Sequence, residues 1–227
     1  MTPPHPFHGF PHAALGHDPE GGKVLGILGM GGIGRNFVRK CAPFGMKVIY
    51  HNRRKLADPA MEEGAQYVSF EELLAQSDIL SVHVPLNPYT RHLLSRDQLA
   101  QCKRGVCIIN TARGAVIDEA ALVEALESGQ VGCVGLDVYE EEPKVHPGLL
   151  RNERAFLLPH VGTATVETQT KMEVWCIGNL GCAVEWVSRK GKGGEGGEAG
   201  KERAREMSVV PEQKGLFEEM LVKGLEG

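Results

Sequence analysis

The sequence predicts a doubly wound α/β fold, in which a parallel sheet carries helices on both faces. Three observations predict it. From Lys23 onward, short β-rich apolar runs alternate with helical stretches. The runs are apolar almost throughout, as strands covered on both faces must be. The segments between them carry helix start and stop signals, which supply the crossovers that parallel strands need.

The elements follow in order. A strand at Val24–Leu28 leads through a glycine turn into a helix over Arg35–Phe44, and a second strand covers Lys47–His51. Ser69 with Glu72, and Ser95 with Gln98, have capping-box spacing, so each marks a helix start. Strands are expected at Ile79–Val84 and Val106–Asn110. Asp118 then starts a helix over Glu119–Ser128, whose Leu122, Ala125 and Leu126 share a face, and Gly129 ends it. Strands at Val134–Val138 and Phe156–Pro159 complete the sheet. Thr165 to about Val187 reads as one longer helix, offering Met172, Trp175, Cys176, Leu180, Val184 and Val187 for burial.

This divides the chain into a lead-in at 1–22, a main domain at 23–164, a helix at 165–187, an insert at 188–208 and a tail at 209–227. His5, His8, His12 and His17 crowd the lead-in. Prolines interrupt them and no second cluster completes a coordination sphere, so no metal site is expected. The insert is rich in glycine and alternating charge with almost nothing apolar, so burial cannot offset its ordering entropy and it is expected to be disordered. Leu216–Val222 is expected to form a short helix in the tail.

Composition excludes several function classes. With 42% hydrophobic residues the chain has material for a core. Its 25 Lys and Arg against 29 Asp and Glu give a net charge of −4, which argues against a generally basic nucleic-acid surface. No apolar run approaches the roughly 18 residues of a membrane span. The start of the chain lacks the pattern of a signal peptide. Six cysteines show no metal-ligand spacing, and most lie in apolar runs as small buried hydrophobes. The expectation is a cytoplasmic protein without membrane or nucleic-acid partners.

The turn after the first strand is Gly29-Met30-Gly31-Gly32-Ile33-Gly34, in which Gly29, Gly31 and Gly34 fit G-x-G-x-x-G. The first glycine permits the tight turn, the second lets backbone approach a pyrophosphate, and the third lets helix and strand pack closely. The helix N-terminus then faces the anion. The turn lies between a strand and a helix, the context that makes this a dinucleotide-binding fingerprint. At the end of the second strand, an NAD site wants an acid for the ribose 2′-hydroxyl. This chain has uncharged Asn52, then Arg53 and Arg54, which could pair with a 2′-phosphate. The expected cofactor is therefore NADP in preference to NAD.

Four further segments narrow the reading. They are Val82-His-Val-Pro-Leu-Asn-Pro-Tyr-Thr90, Asn110-Thr-Ala-Arg-Gly-Ala-Val-Ile-Asp118, Gly135-Leu-Asp-Val-Tyr-Glu-Glu-Glu-Pro143 and Leu158-Pro-His-Val-Gly-Thr-Ala-Thr165. In this order they closely resemble the D-2-hydroxyacid dehydrogenase family, in particular fungal-like glyoxylate and hydroxypyruvate reductases. The resemblance covers roughly Gly16 to Leu180 and implies a Rossmann-like NAD(P)-binding domain. It also implies reduction of a small 2-oxo acid to the 2-hydroxy acid by hydride transfer.

Such a reaction needs a cation for the carboxylate and a proton donor at the ketone oxygen. Arg113 offers a planar fork for a carboxylate, and His160 can donate a proton near neutral pH, helped by a carboxylate partner. The resemblance implies these roles, with Glu142 orienting His160. Glu142 is chosen over Glu140 and Glu141 because it directly precedes Pro143, as the family's catalytic glutamate precedes its proline. The resemblance further implies cofactor contacts from Gly32, Ile33, Pro85, Thr90, Thr111, Arg113, Asp137, His160 and Gly162, and a homodimer built through the dinucleotide domain. His83 and His92 are read as structural.

Members of the family carry roughly a domain's worth of residues before the glycine turn, whereas 22 residues precede Lys23 here. The substrate domain is therefore expected to be largely missing, and with it the backbone that grips the substrate carboxylate. The alternative reading is a catalytically weak or inactive NAD(P)-binding fragment, or a dinucleotide-sensing interaction module.

Overall fold

The computed structural model describes residues 22–190. The histidines of the lead-in, most of the 188–208 insert and the tail helix at 216–222 lie outside the described residues. The chain divides between Leu157 and Leu158 into two compact units.

The first unit is built on a seven-stranded, all-parallel sheet in the order β3-β2-β1-β4-β5-β6-β7. The strands are β1 (Val24–Leu28), β2 (Lys47–His51), β3 (Gln66–Tyr67), β4 (Ile79–Val82), β5 (Val106–Asn110), β6 (Val131–Leu136) and β7 (Ala155–Leu157). Between them lie α1 (Gly32–Cys41), α2 (Phe70–Gln76), α3 (Arg96–Gln101), α4 (Glu119–Glu127) and the single turn α5 (Pro147–Leu150). The doubly wound prediction is correct. The order reverses at β1, which has β2 on one side and β4 on the other, and this crevice is where open α/β sheets bind ligands.

Burial explains the apolar strands. On β1, Leu25 and Ile27 enter one hydrophobic cluster while Leu28 enters the other, so opposite faces of the same strand are covered. β2 repeats the pattern, with Tyr50 in the first cluster and Ile49 in the second. α4 buries Ala121, Leu122, Val123, Ala125 and Leu126. Each leucine taken out of water contributes on the order of 2 kcal/mol.

Caps were read with mixed success. Ser69 and Glu72 form the full capping box: the Glu72 N–H donates to Ser69 Oγ at 3.1 Å, and the Ser69 N–H to Glu72 Oε2 at 2.8 Å. Asp118 caps α4 by accepting from the Ala121 N–H at 2.9 Å, and Gly129 follows with φ of 72°. Ser95 and Gln98 make no capping box. Their side chains bond each other at 2.5 Å instead, leaving the first N–H groups of α3 without a side-chain acceptor.

Several boundaries shift. The first helix begins at Gly32 and ends at Cys41, because Pro43 favours a separate 3₁₀ turn over Ala42–Phe44 that Gly45 closes at φ 64°. β4 stops at Val82, although the His83 N–H still donates to the Leu28 carbonyl at 2.8 Å. β6 starts three residues earlier than expected, since Gly132 and Cys133 hide its start from a hydrophobic pattern. β7 covers Ala155–Leu157, and β3, two residues long, has no pattern to read. The cysteines are less buried than expected: Cys102 is buried, Cys41 and Cys107 partly so, and Cys133 and Cys176 are exposed.

In the second unit, α6 spans Val166–Lys190, three residues into the expected insert. Thr165 caps it, accepting from the Thr168 N–H at 3.2 Å. Met172, Trp175, Cys176 and Leu180, expected to find burial, are exposed. The described part of this unit holds no other helix or strand to cover them.

Candidate functional site

The glycine turn joins β1 to α1, and its glycines answer to backbone contacts. Gly29 has φ of 102°, and a Cβ there would lie 2.9 Å from the carbonyl carbon of His83 and from the Val84 nitrogen. At Gly34 a Cβ would come within 2.4 Å of the Gly29 carbonyl oxygen and 3.2 Å of Ile27 Cγ2. Only hydrogen fits at either place, so the ten-residue α1 starts hard against the end of β1. Gly31 is its N-cap with no side-chain acceptor, no acid stands in its first turn, and Gly32 and Ile33 are exposed. That is a cradle for an anion.

Asn52 has a position beyond its sequence reading. Its Oδ1 accepts from the Met30 N–H at 2.7 Å, tying the end of β2 to the middle of the glycine turn. Arg53 and Arg54 follow it and are exposed. The turn, a neutral amide and two exposed cations thus occupy the carboxyl ends of adjacent strands, where open α/β sheets bind ligands.

Past β4, His83 bonds Ser81 Oγ at 2.9 Å and packs on Phe37 with ring centroids 5.4 Å apart. Burial pushes its imidazole down to about 4, so it is neutral at physiological pH. Pro85 and Thr90 are brought together: the Thr90 hydroxyl donates to the Pro85 carbonyl at 2.6 Å and accepts from the Asn87 N–H at 2.9 Å, closing its own loop.

After β5, buried Asn110 accepts from the Ala112 N–H at 3.0 Å through Oδ1 and donates to the Arg113 carbonyl at 3.0 Å through Nδ2. This wraps the loop so that Thr111 and Arg113 are exposed, with Arg113 Nη1 donating to the Ala112 carbonyl at 2.6 Å. A Cβ on Gly114 would fall 1.9 Å from the carbonyl carbon of Tyr139, so this loop sits directly on the backbone that follows β6. There Asp137 is buried, its N–H donating to the Asn110 carbonyl at 3.1 Å. Glu142 Oε1 accepts from the Tyr139 N–H at 3.0 Å. The loops bearing Arg113 and Glu142 are therefore one interlocked piece.

Sequence reasoning missed the clamp beneath that piece. Glu140 Oε1 accepts from Arg91 Nη2 at 3.0 Å and pairs with His92 Nε2 at 2.5 Å. The Glu140 N–H donates to Glu119 Oε2 at 2.9 Å, and Glu119 Oε1 accepts from the His146 N–H at 2.8 Å. One carboxylate pair thus ties the loop after β4, the start of α4 and the loop after β6. The three-glutamate run was visible, but nothing in it separates the clamping glutamate from its neighbours. Asn110 stood in plain view within a quoted motif, and its place at a strand end was the usable signal.

His160 and Gly162 belong to the second unit. His160 follows Pro159, is exposed, and holds φ of 56°, a left-handed conformation uncommon outside glycine and more frequent at functional residues.

Comparison with known proteins agrees with this geometry. The sequence pattern of the D-isomer specific 2-hydroxyacid dehydrogenase NAD binding domain matches residues 10–162. A 4-methyl-2-oxopentanoate reductase A of Aspergillus oryzae is 52% identical over 203 residues, which are 89% of this chain and 56% of the relative. The crystal structure of a glyoxylate reductase from Paecilomyes thermophila is 62% identical with a TM-score of 0.73, over 75% of this chain and 52% of that one. An NADPH-dependent glyoxylate/hydroxypyruvate reductase of Sinorhizobium meliloti, solved with NADP and malonate, is 35% identical with a TM-score of 0.66, over 70% and 49%. The chain spans about half the length of the curated relatives it matches. With most of its length matched in sequence and its sheet matched in structure, this chain belongs to the D-isomer specific 2-hydroxyacid dehydrogenases and carries their NAD-binding domain.

Proposed function

We propose that this chain supports NADPH-dependent reduction of a small 2-oxo acid of the glyoxylate or hydroxypyruvate class to the 2-hydroxy acid. The observation that carries the reading is the interlocked pair of loops presenting Arg113 and Glu142 at the same sheet edge as the glycine cradle. A bound NADPH would supply the hydride. Arg113 would hold the substrate carboxylate through its guanidinium fork, a contact that fixes orientation as well as charge. His160 would deliver the proton to the ketone oxygen, and Glu142 would orient it and favour its charged form. Thr111, Pro85, Thr90, Asp137 and Gly162 would line the cofactor. The domain as a whole would pair in a homodimer in the cytosol.

NADPH oxidation with glyoxylate tests the reaction. Wild type is expected to turn over, and His160→Ala to lose on the order of 10²-fold or more in kcat. Turnover unchanged in that variant would remove His160 from its role, and cofactor binding with no turnover in wild type would favour the sensing module. Fluorescence titration tests the cofactor. Comparable affinity for NADH and NADPH, or an unchanged ratio in an Arg53→Ala, Arg54→Ala double variant, would end the NADPH preference. Light scattering tests the pairing, and a clean monomer would contradict it.

A further inference from the structure

Two cysteines lie side by side beneath the site, and the proposed reaction uses neither. Cys107 is on β5 and Cys133 on β6, and the parallel register pairs them directly. Paired residues on neighbouring strands point to the same face, with Cα atoms about 4.8 Å apart. That falls within the roughly 4.4–6.8 Å span of disulfides. The opposite face of these strands is packed, holding Val106, Ile108, Val134 and Leu136. The face with the thiols is thinly covered: Cys133 is exposed, and a Cβ at neighbouring Gly135 would meet nothing within 4 Å. The two thiols are close enough for Cys133 to raise the Cys107 thiol. A register irregularity between Val106 and Cys107, opposite Gly132, adds local bend and twist at this point.

We propose that Cys107 and Cys133 form a dithiol–disulfide couple that reacts with small-molecule disulfides. The accessible Cys133 enters first: its thiolate attacks one sulfur of the oxidant, a mixed disulfide forms, and one small thiol leaves. Cys107 then gives its proton to solvent and attacks Cys133 Sγ, closing the cross-strand bond and expelling the second small thiol. Two protein thiols are oxidised and one disulfide is reduced to two thiols. Burial, then the neighbouring Cys133 thiol, push the Cys107 thiol up to about 12. Closure is therefore the slow step and speeds up as pH rises, while the pairing of the two residues across neighbouring strands offsets the small thiolate fraction. Among the described cysteines no other pair is so placed. Cys102 is buried and donates to the Gln98 carbonyl.

The test is incubation of the folded chain with excess oxidised glutathione at pH 7 and pH 9, alkylation of remaining thiols, and peptide mapping. Trypsin places Cys107 in residues 105–113 and Cys133 in residues 114–144. The expected product is a dithiothreitol-reversible link between those peptides, formed at least several-fold faster at pH 9. Cys133→Ser, at an exposed position, should keep its far-UV circular dichroism and form no link. Failure to form the link at either pH overturns the proposal. So does glutathione left on Cys133 beside an alkylatable Cys107, or loss of the Cys107 thiol in Cys133→Ser.

Discussion

Gly34→Ala isolates what the glycine turn does. The added Cβ would stand 2.4 Å from the Gly29 carbonyl oxygen, about an ångström short of ordinary contact. The obstacle is backbone held in the sheet, since the Gly29 N–H donates to the His51 carbonyl at 3.0 Å, so no rotamer change relieves it. α1 must move away by about that distance, at a cost in stability of about 1–3 kcal/mol. The same displacement draws the N–H groups at the start of α1 away from a bound pyrophosphate. Misplacement on this scale is expected to weaken NADPH binding roughly ten- to hundredfold, or about 1.4–2.8 kcal/mol. Gly135→Ala serves as the control, since a Cβ there meets nothing within 4 Å and stability should change by less than about 0.5 kcal/mol. Urea unfolding and NADPH fluorescence titration read the two quantities separately. A Gly34→Ala protein with wild-type stability and wild-type affinity would refute the reasoning, because the clash would then have been absorbed without moving the helix.

The remaining predictions concern charge. Asp78 Oδ2 accepts from the Val24 N–H at 2.9 Å and Oδ1 from Lys103 Nζ at 2.7 Å; burial pushes its carboxyl up, but Lys103, Val24 and Lys23 outweigh this and hold it below the usual range. Its contribution is therefore full above about pH 4 and lost as pH falls through the depressed value; Asp78→Asn should cost about 1.5–3 kcal/mol at pH 7 in urea unfolding, with a gap to wild type that narrows in acid. His83 has the other sign pattern among histidines, with a folded value of about 4 below its ordinary 6.5. Stability should fall by up to about 3 kcal/mol as pH drops from 6.5 to 4, and a His83→Gln protein with the same slope across that window would contradict the assignment. Glu140→Ala removes the acceptor shared by Arg91 and His92 and should cost about 1–3 kcal/mol, whereas Glu141→Ala, on an exposed neighbour, should be near neutral by thermal unfolding.

Much of the fold was legible because its signals are local. Apolar runs fixed the existence of six strands, and caps whose partners lie three residues away, Ser69 with Glu72 and Asp118 with Ala121, marked helix starts correctly. What escaped depends on partners distant in sequence. β3 exists because Gln66 and Tyr67 find Ile49 and Tyr50 across the sheet, not because two residues carry a pattern. β6 begins early because Val131 pairs with Val106, and its glycines conceal that from hydrophobicity. Ser95 and Gln98 had the right spacing, but two side chains able to bond each other did so.

The site divides along the same line, and the division has a physical basis. A glycine needed for backbone-to-backbone approach tolerates no substitute, so Gly29, Gly34 and Gly114 leave a strong mark on the sequence wherever such approaches occur. A clamp made of side chains leaves a weak one. Glu140 and Glu142 are two positions apart and chemically identical, yet Glu140 is bound by Arg91, His92 and the start of α4, while Glu142 accepts from the nearby Tyr139 N–H. The clamp explains how Glu142 would be held in place for the proposed chemistry. Glu142 and Arg113 stand on irregular backbone, which loses orientation unless something fixes it, and Glu140 with Gly114 fixes both loops to each other and to the sheet. Identity of residue type therefore says little about role at this edge; what separates Glu140 is that its bonds reach the loop after β4 and the start of α4.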